Sequence, residues 1–149
     1  MLRLSKKADY ALMAMKHLAL RGDRGSSSAR EIAELYGIPI ELMAKVLQRL
    51  VRRGLLASHQ GTRGGYKLAR IPTQISVADV IQAIDGPVTV TACSTEDGQC
   101  EQFAKCNVRD PLWRVRERIL SALGECTIAE LAADPPPVAA HAAVLRTHL

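Results

Sequence analysis

A mainly helical fold with one β-hairpin is predicted by three features of this 149-residue chain. Hydrophobic residues make up 48% of it and aromatics only 3%, which suits small helices packed through Leu, Ala, Val and Ile. Two short helical patterns meet at Leu35-Tyr36-Gly37-Ile38-Pro39, the punctuation of a helix-turn-helix. A glycine-rich basic turn, Gln60-Gly61-Thr62-Arg63-Gly64-Gly65, then joins two strand-like pieces. Together these features predict a winged helix-turn-helix with a two-stranded β wing, and an apolar stripe further along, taken up below, adds a long C-terminal dimerisation helix.

The first helix spans residues 4–20, where Leu4, Ala8, Ala11, Leu12, Met15, Leu18 and Ala19 recur at three- and four-residue steps. Ser28 and Glu31 have the spacing of a capping box and open a short helix over about residues 29–36. Gly37 stops that helix, and Pro39 stands near the start of the next, where its missing amide is harmless. In this third helix Met43, Val46, Leu47 and Leu50 share one face. Glu41, Lys45, Gln48, Arg49 and Arg52 fall on the opposite arc, at about 100° per residue. One face packs, and the other can read a major groove.

Residues 55–59 and 66–69 supply the wing strands. The glycines of the tip let the backbone approach a phosphate chain or minor groove, and Arg63 suits the negative potential of a narrow A·T-rich groove. Ser76 and Asp79 open a further helix that runs to Ile84, before Asp85-Gly86-Pro87 breaks it. A loop of more than twenty residues follows, a length that calls for a function or an external organiser such as a metal. Asp110-Pro111 then reads as the N-cap and first position of the long helix. Its stripe of Leu112, Val115, Ile119, Leu120 and Leu123 is the expected dimer seam. Thr127 starts a last short helix, and Asp134-Pro135-Pro136-Pro137 opens a flexible tail. The expected organisation is a DNA-binding domain over residues 1–72, a sensor and dimerisation region over 73–133, and the tail over 134–149.

Charge is divided unevenly. Residues 1–70 carry 14 basic and five acidic side chains, a net +9, whereas residues 71–149 carry six and ten, a net −4. A basic half of this kind presents a face to a polyanion. Nothing approaches the roughly 20 apolar residues of a membrane span, and the first residues lack the apolar core of a signal peptide. A cytoplasmic protein without membrane attachment is expected. There, cysteines favour metal or redox chemistry over disulfides, and Cys93, Cys100 and Cys106 share the long loop. Cys126, beyond the long helix, reads as a small buried filler.

No catalytic constellation accompanies these cysteines. There is no Cys-x-x-Cys pair and no phosphate-cradling loop, and the four histidines are scattered. No enzyme activity and no small-molecule substrate are expected. An adaptor that binds protein through the winged helix is disfavoured by the +9 of the first seventy residues, because neutralising phosphates is the natural use of such a surface.

Leu4-Ser5-Lys6-Lys7-Ala8-Asp9-Tyr10-Ala11-Leu12, Gly64-Gly65-Tyr66-Lys67-Leu68, Ile75-Ser76-Val77-Ala78-Asp79-Val80-Ile81 and Leu112-Trp113 resemble the IscR-type family of winged-helix regulators over nearly the whole chain. Within it the similarity is to regulators of the SUF iron-sulfur cluster assembly operon, through Leu2-Arg3-Leu4-Ser5-Lys6, Asp9-Tyr10-Ala11 and Gly86-Pro87 before Cys93. The resemblance implies a homodimer that binds a double-stranded DNA operator and represses iron-sulfur assembly genes while a two-iron or four-iron cluster is present. By position it assigns the cluster to Cys93, Cys100 and Cys106. Thiolates suit iron, and a weaker fourth ligand makes a labile, sensing cluster. Where some relatives have a His after the third Cys, this chain runs Asn107-Val108-Arg109-Asp110; other relatives use an acidic residue of the first helix, contributed across the dimer, and by that resemblance Asp9 is the fourth candidate. Asp110 is the alternative, competing with its use as a helix cap.

Two variants of this reading stay open: a nitric oxide or redox sensor of the same family, and a zinc-bound or metal-free winged helix. The expected DNA contacts are Ser28, Glu41, Lys45, Gln48, Arg49, Arg52, Gln60, Arg63 and Gly64.

Overall fold

The computed structural model describes residues 3–62, 64–91 and 100–133. Arg63, Cys93 and the tail from residue 134 therefore lie outside the described residues. Helix α1 (Lys6–Arg21) starts at Ser5, whose hydroxyl accepts from the Ala8 amide at 3.1 Å. Ala8, Ala11, Ala14, Met15 and Leu18 bury one side of α1. Such small side chains allow close approach, and α1 packs against α3, α4, α6 and β2 of the elements described below.

Helix α2 (Ala29–Tyr36) opens on the expected capping box, with the Ser28 amide donating to Glu31 Oε2 at 2.8 Å and the Glu31 amide to Ser28 Oγ at 3.1 Å. Gly37 ends it at φ 64°, a left-handed conformation that glycine adopts without strain. Helix α3 (Ile40–Arg52) follows from Pro39 and buries Met43, Val46, Leu47 and Leu50. This is the helix-turn-helix pair.

The wing consists of β1 (Leu56–His59) and β2 (Gly65–Leu68), antiparallel, with Leu56 opposite Leu68 and His59 opposite Gly65. Strand β1 starts one residue later than expected and keeps its end at His59, whereas β2 lies one residue earlier, beginning with Gly65 rather than Tyr66. That glycine is pressed against the main chain ahead of α2, where a Cβ would stand 2.6 Å from the Ser27 carbonyl oxygen. Ser27 and Tyr66 exchange two main-chain hydrogen bonds, 2.8 and 3.0 Å long, so the hairpin is tied to the helix-turn-helix rather than hanging from it.

Helix α4 (Val77–Asp85) also carries its expected capping box, Ser76 with Asp79. Past the break, a 3-10 turn at Phe103–Lys105 leads to α5 (Arg109–Glu125) and α6 (Ile128–Ala133). The expected cap of α5 is corrected here. Asp110 is not the N-cap; the helix begins two residues earlier than expected, at Arg109 rather than Pro111, with Val108 at the cap position. Arg109 Nε takes the Asp110 carboxylate at 2.9 Å, so Asp110 becomes a first-turn acid suited to the helix dipole instead of bonding the backbone. Cys126 also departs from expectation: it is half-exposed rather than buried. Its carbonyl accepts from the Val77 amide at 2.8 Å, and the Ile128 amide donates to the Ile75 carbonyl at 2.8 Å, which anchors the α5–α6 joint at the start of α4.

Helix α5 buries no residue, and Trp113 is 49% exposed with Leu112 and Val115 beside it. This 17-residue helix thus leaves an apolar face uncovered. No described helix is long and apolar enough to cross a membrane.

Gly65→Ala tests the seating of the wing. The added methyl meets backbone, which cannot swing aside, so unfolding in denaturant should show a loss of about 1–3 kcal/mol. Unchanged stability would mean that the wing is not held against Ser27.

Candidate nucleic-acid interface and cysteine loop

The outer face of α3 is what its sequence period implies. Glu41, Lys45, Gln48, Arg49 and Arg52 are all exposed while the opposite face is buried. Lys45, Gln48, Arg49 and Arg52 border a groove of about 280 Å³, and Lys7 of α1 joins them there. Lys7 is not among the DNA contacts expected from the sequence, which gave α1 a packing face and the ligand candidate Asp9. Its signal was its place off the apolar stripe.

Arg49 has a second task. Its Nε donates to the Ala83 carbonyl at 2.9 Å, in the last turn of α4, where carbonyls lack helical partners and a cation is favoured. One of its five N–H donors thus ties the reading helix to α4. Ser28, an expected DNA contact, is half-buried with its hydroxyl engaged in the capping box, so its side chain is not free and the position presents a helix N-terminus. Gln60 is exposed at the end of β1. Gly64 turns the tip, its amide donating to the Gly61 carbonyl at 2.9 Å, and a Cβ there would stand 2.7 Å from the His59 carbonyl oxygen.

Behind the wing lies a polar cluster. His17 of α1 places Nδ1 3.2 Å from the Tyr36 hydroxyl and Nε2 3.2 Å from Ser27 Oγ. Burial, aided by the nearby Arg21 charge and opposed by Glu31, holds the imidazole pKa below its ordinary 6.5.

Within the cysteine loop, Cys100 and Cys106 are half-exposed, are not in a disulfide, and flank the 3-10 turn. The Phe103 amide donates to the Cys100 carbonyl at 3.0 Å, closing the arch between the two thiols. Arg109 braces it from α5: its Nη1 donates to the Phe103 carbonyl at 3.0 Å, and its guanidinium lies 4.6 Å from the Phe103 ring centre. Asp110, paired with Arg109, has its pKa lowered by that hydrogen bond and charge. Asp9 is half-buried on α1. Among the described residues no three His, Cys, Asp or Glu side chains converge as a metal-binding group, so Asp9 does not join Cys100 and Cys106 within one protomer.

Residues 4–134 match the model of the Rrf2 family, described as an iron-dependent transcriptional regulator. The chain belongs to the Rrf2 family. It is 37% identical over 131 residues to the HTH-type transcriptional regulator IscR of Xenorhabdus nematophila, covering 87% of this chain and 79% of that one. Among solved structures it is similar to CymR (YrzC), the global cysteine regulator of B. subtilis, at a TM-score of 0.76 and 28% identity, covering 91% of this chain and all of that one. It is also similar to T. potens IscR, at a TM-score of 0.68 and 27% identity, covering 91% and 94%. The winged-helix fold, the membership of the IscR-type group and the assignment as a DNA-binding transcriptional regulator rather than an enzyme all follow.

Two outcomes are expected. Arg49→Ala should weaken operator binding, reduce the magnitude of the log–log salt slope by about one, and lower stability by about 1 kcal/mol through loss of the Ala83 tether. An unchanged slope in a salt titration would leave Arg49 as a tether only. The neutral imidazole is favoured in the folded chain, so the unfolded chain takes up its proton first. Stability from this group is complete above pH 6.5 and falls as pH drops below it. Melting curves from pH 7.5 to 5.5 should therefore show a decline that His17→Gln reduces; an equal decline in both proteins would mean that His17 contributes nothing to it.

Proposed function

We propose that the chain is a homodimeric repressor of iron-sulfur cluster assembly genes whose operator affinity is set by an iron-sulfur cluster on the loop ahead of α5. The observation that carries this reading is the arch of Cys100 and Cys106: two half-exposed thiols, held by a closed turn and braced by Arg109 at the base of the exposed helix. Soft thiolates suit iron, and the described part of the donor set therefore fits such a group in its chemistry. Cys93 would be the third thiolate and Asp9 of the partner subunit the fourth ligand, an assignment that needs the dimer because Asp9 stands apart from the two cysteines in one protomer. When bound, the cluster supplies a redox- and iron-responsive anchor that orders the loop.

The chain's own residues do the rest. Helix α5 pairs two copies along Leu112, Trp113 and Val115. Helix α3 of each copy enters a major groove, with Lys45, Gln48 and Arg49 as the principal readers, assisted by Glu41, Arg52 and Lys7. The wings place Gln60, Arg63 and Gly64 at the flanking minor grooves of a roughly two-fold symmetric operator. Ser28 presents the N-terminus of α2 to a phosphate. Ordering the loop biases the relative pose of the two reading heads, because α5 packs on α4 and α4 is tied to α3 through Arg49.

A second reading, redox sensing without a cluster, is supported by the structural likeness to CymR regulators, one of which has been solved in an oxidized form. Anaerobic purification separates the two. Cluster binding predicts a brown dimer with iron and acid-labile sulfide that loses both in Cys106→Ala and in Asp9→Ala holds a weakened or altered chromophore. A colourless protein that resists reconstitution contradicts cluster binding, and retention of zinc would give the metal a structural role instead.

A further inference from the structure

We propose that His17 is a positioning residue for DNA recognition: it fixes where the wing stands relative to α3, and so sets discrimination among the base pairs flanking the major-groove site. The inference rests on reading the hairpin as a DNA-contacting wing. It concerns a residue that belongs neither to the outer face of α3 nor to the cysteine loop.

A two-stranded hairpin alone is marginal in water, so its pose depends on what it is fastened to. Here the fastening is Ser27. Its main chain pairs with Tyr66 of β2, its side chain is fully buried, and it is the one polar residue buried among the described residues. Its hydroxyl meets His17 Nε2, while the other ring nitrogen meets Tyr36 at the end of α2. The Tyr36 ring also stands edge-on to the imidazole, 5.7 Å between centres and at 90°, which fixes the orientation of the imidazole plane. His17 therefore joins α1, α2 and the wing through two hydrogen bonds. The contact between Gly65 and Ser27 leaves no slack, since a Cβ there would already be too close. A displacement of Ser27 passes directly into β2, and the wing tip amplifies it.

The imidazole suits this task. A neutral ring offers one donor and one acceptor, and the two hydroxyls rotate to match whichever tautomer is present. An apolar replacement leaves the buried Ser27 hydroxyl without its partner, which favours a shifted Ser27 that finds another. Glutamine places its terminal amide near the position of Nε2 and can keep the Ser27 bond.

The test begins with selection of duplexes from a randomised pool by the wild-type protein. Single-base-pair variants of the selected site are then titrated with wild type, His17→Leu and His17→Gln. We expect His17→Leu to lose about fivefold or more of its discrimination at the flanking positions while keeping it at the central major-groove positions, and His17→Gln to restore it. Flanking discrimination intact in His17→Leu would overturn the proposal. So would an equal loss at every position that glutamine does not rescue, the mark of general destabilisation. Absence of any flanking preference or minor-groove protection in the wild type would instead sink the wing reading itself. Should His17→Leu fail to fold, Ser27→Ala and Tyr36→Phe keep the packing volume, remove one hydroxyl each, and carry the same comparison.

Discussion

The close packing of α1 is the constraint on which everything else rests. Ala8, Ala11 and Ala14 are fully buried, and this allows one helix to touch α3, α4, α6 and β2 at once. A larger side chain at any of these alanines would push apart elements that must hold their relative positions for DNA to be read. The same helix supplies Lys7 to the basic groove, His17 to the wing, and Ser5 to a latch with Asp85, in which the Ser5 hydroxyl donates to Asp85 Oδ1 at 2.5 Å. That latch sets an acidic side chain against a helix N-terminus, where it is favoured. It also marks the point at which the chain leaves the reading head for the cysteine loop.

Much of the architecture was legible because it is written locally. Ser28 with Glu31 and Ser76 with Asp79 are capping boxes whose partners lie three residues apart, and the buried face of α3 follows from its helical period. The start of α5 was misread for an equally local reason: Asp110 looks like a cap, but the neighbouring Arg109 competes for the same carboxylate. Distant contacts were beyond sequence reading. The Arg49 bond to Ala83 spans 34 residues and the His17 bond to Tyr36 spans 19, and neither has a spacing that advertises it. Of the candidate site, the exposed arc of α3 and the adjacency of Cys100 and Cys106 were readable, whereas the bracing of their arch by Arg109 needed coordinates.

These long contacts give the molecule a continuous mechanical frame. From the arch, Arg109 leads into α5, α5 packs on α4, and the last turn of α4 holds Arg49 of the reading helix. The wing is joined to the same frame through Ser27. A change in order at the loop therefore has a route to both α3 and the hairpin, each step being a packed interface or a hydrogen bond. Family membership establishes the regulator, and the frame supplies a physical account of how its loop could govern its grip on DNA.

The most direct measurement is operator affinity for one anaerobic preparation, at fixed salt, before and after a chelation step that would strip the proposed cluster. A change of about tenfold or more, absent from Cys106→Ala, is what this account predicts, and it corresponds to a coupling of about 1.4 kcal/mol. Identical affinity in the two forms, with the cluster demonstrably present in one, would contradict the claim that the loop regulates DNA binding.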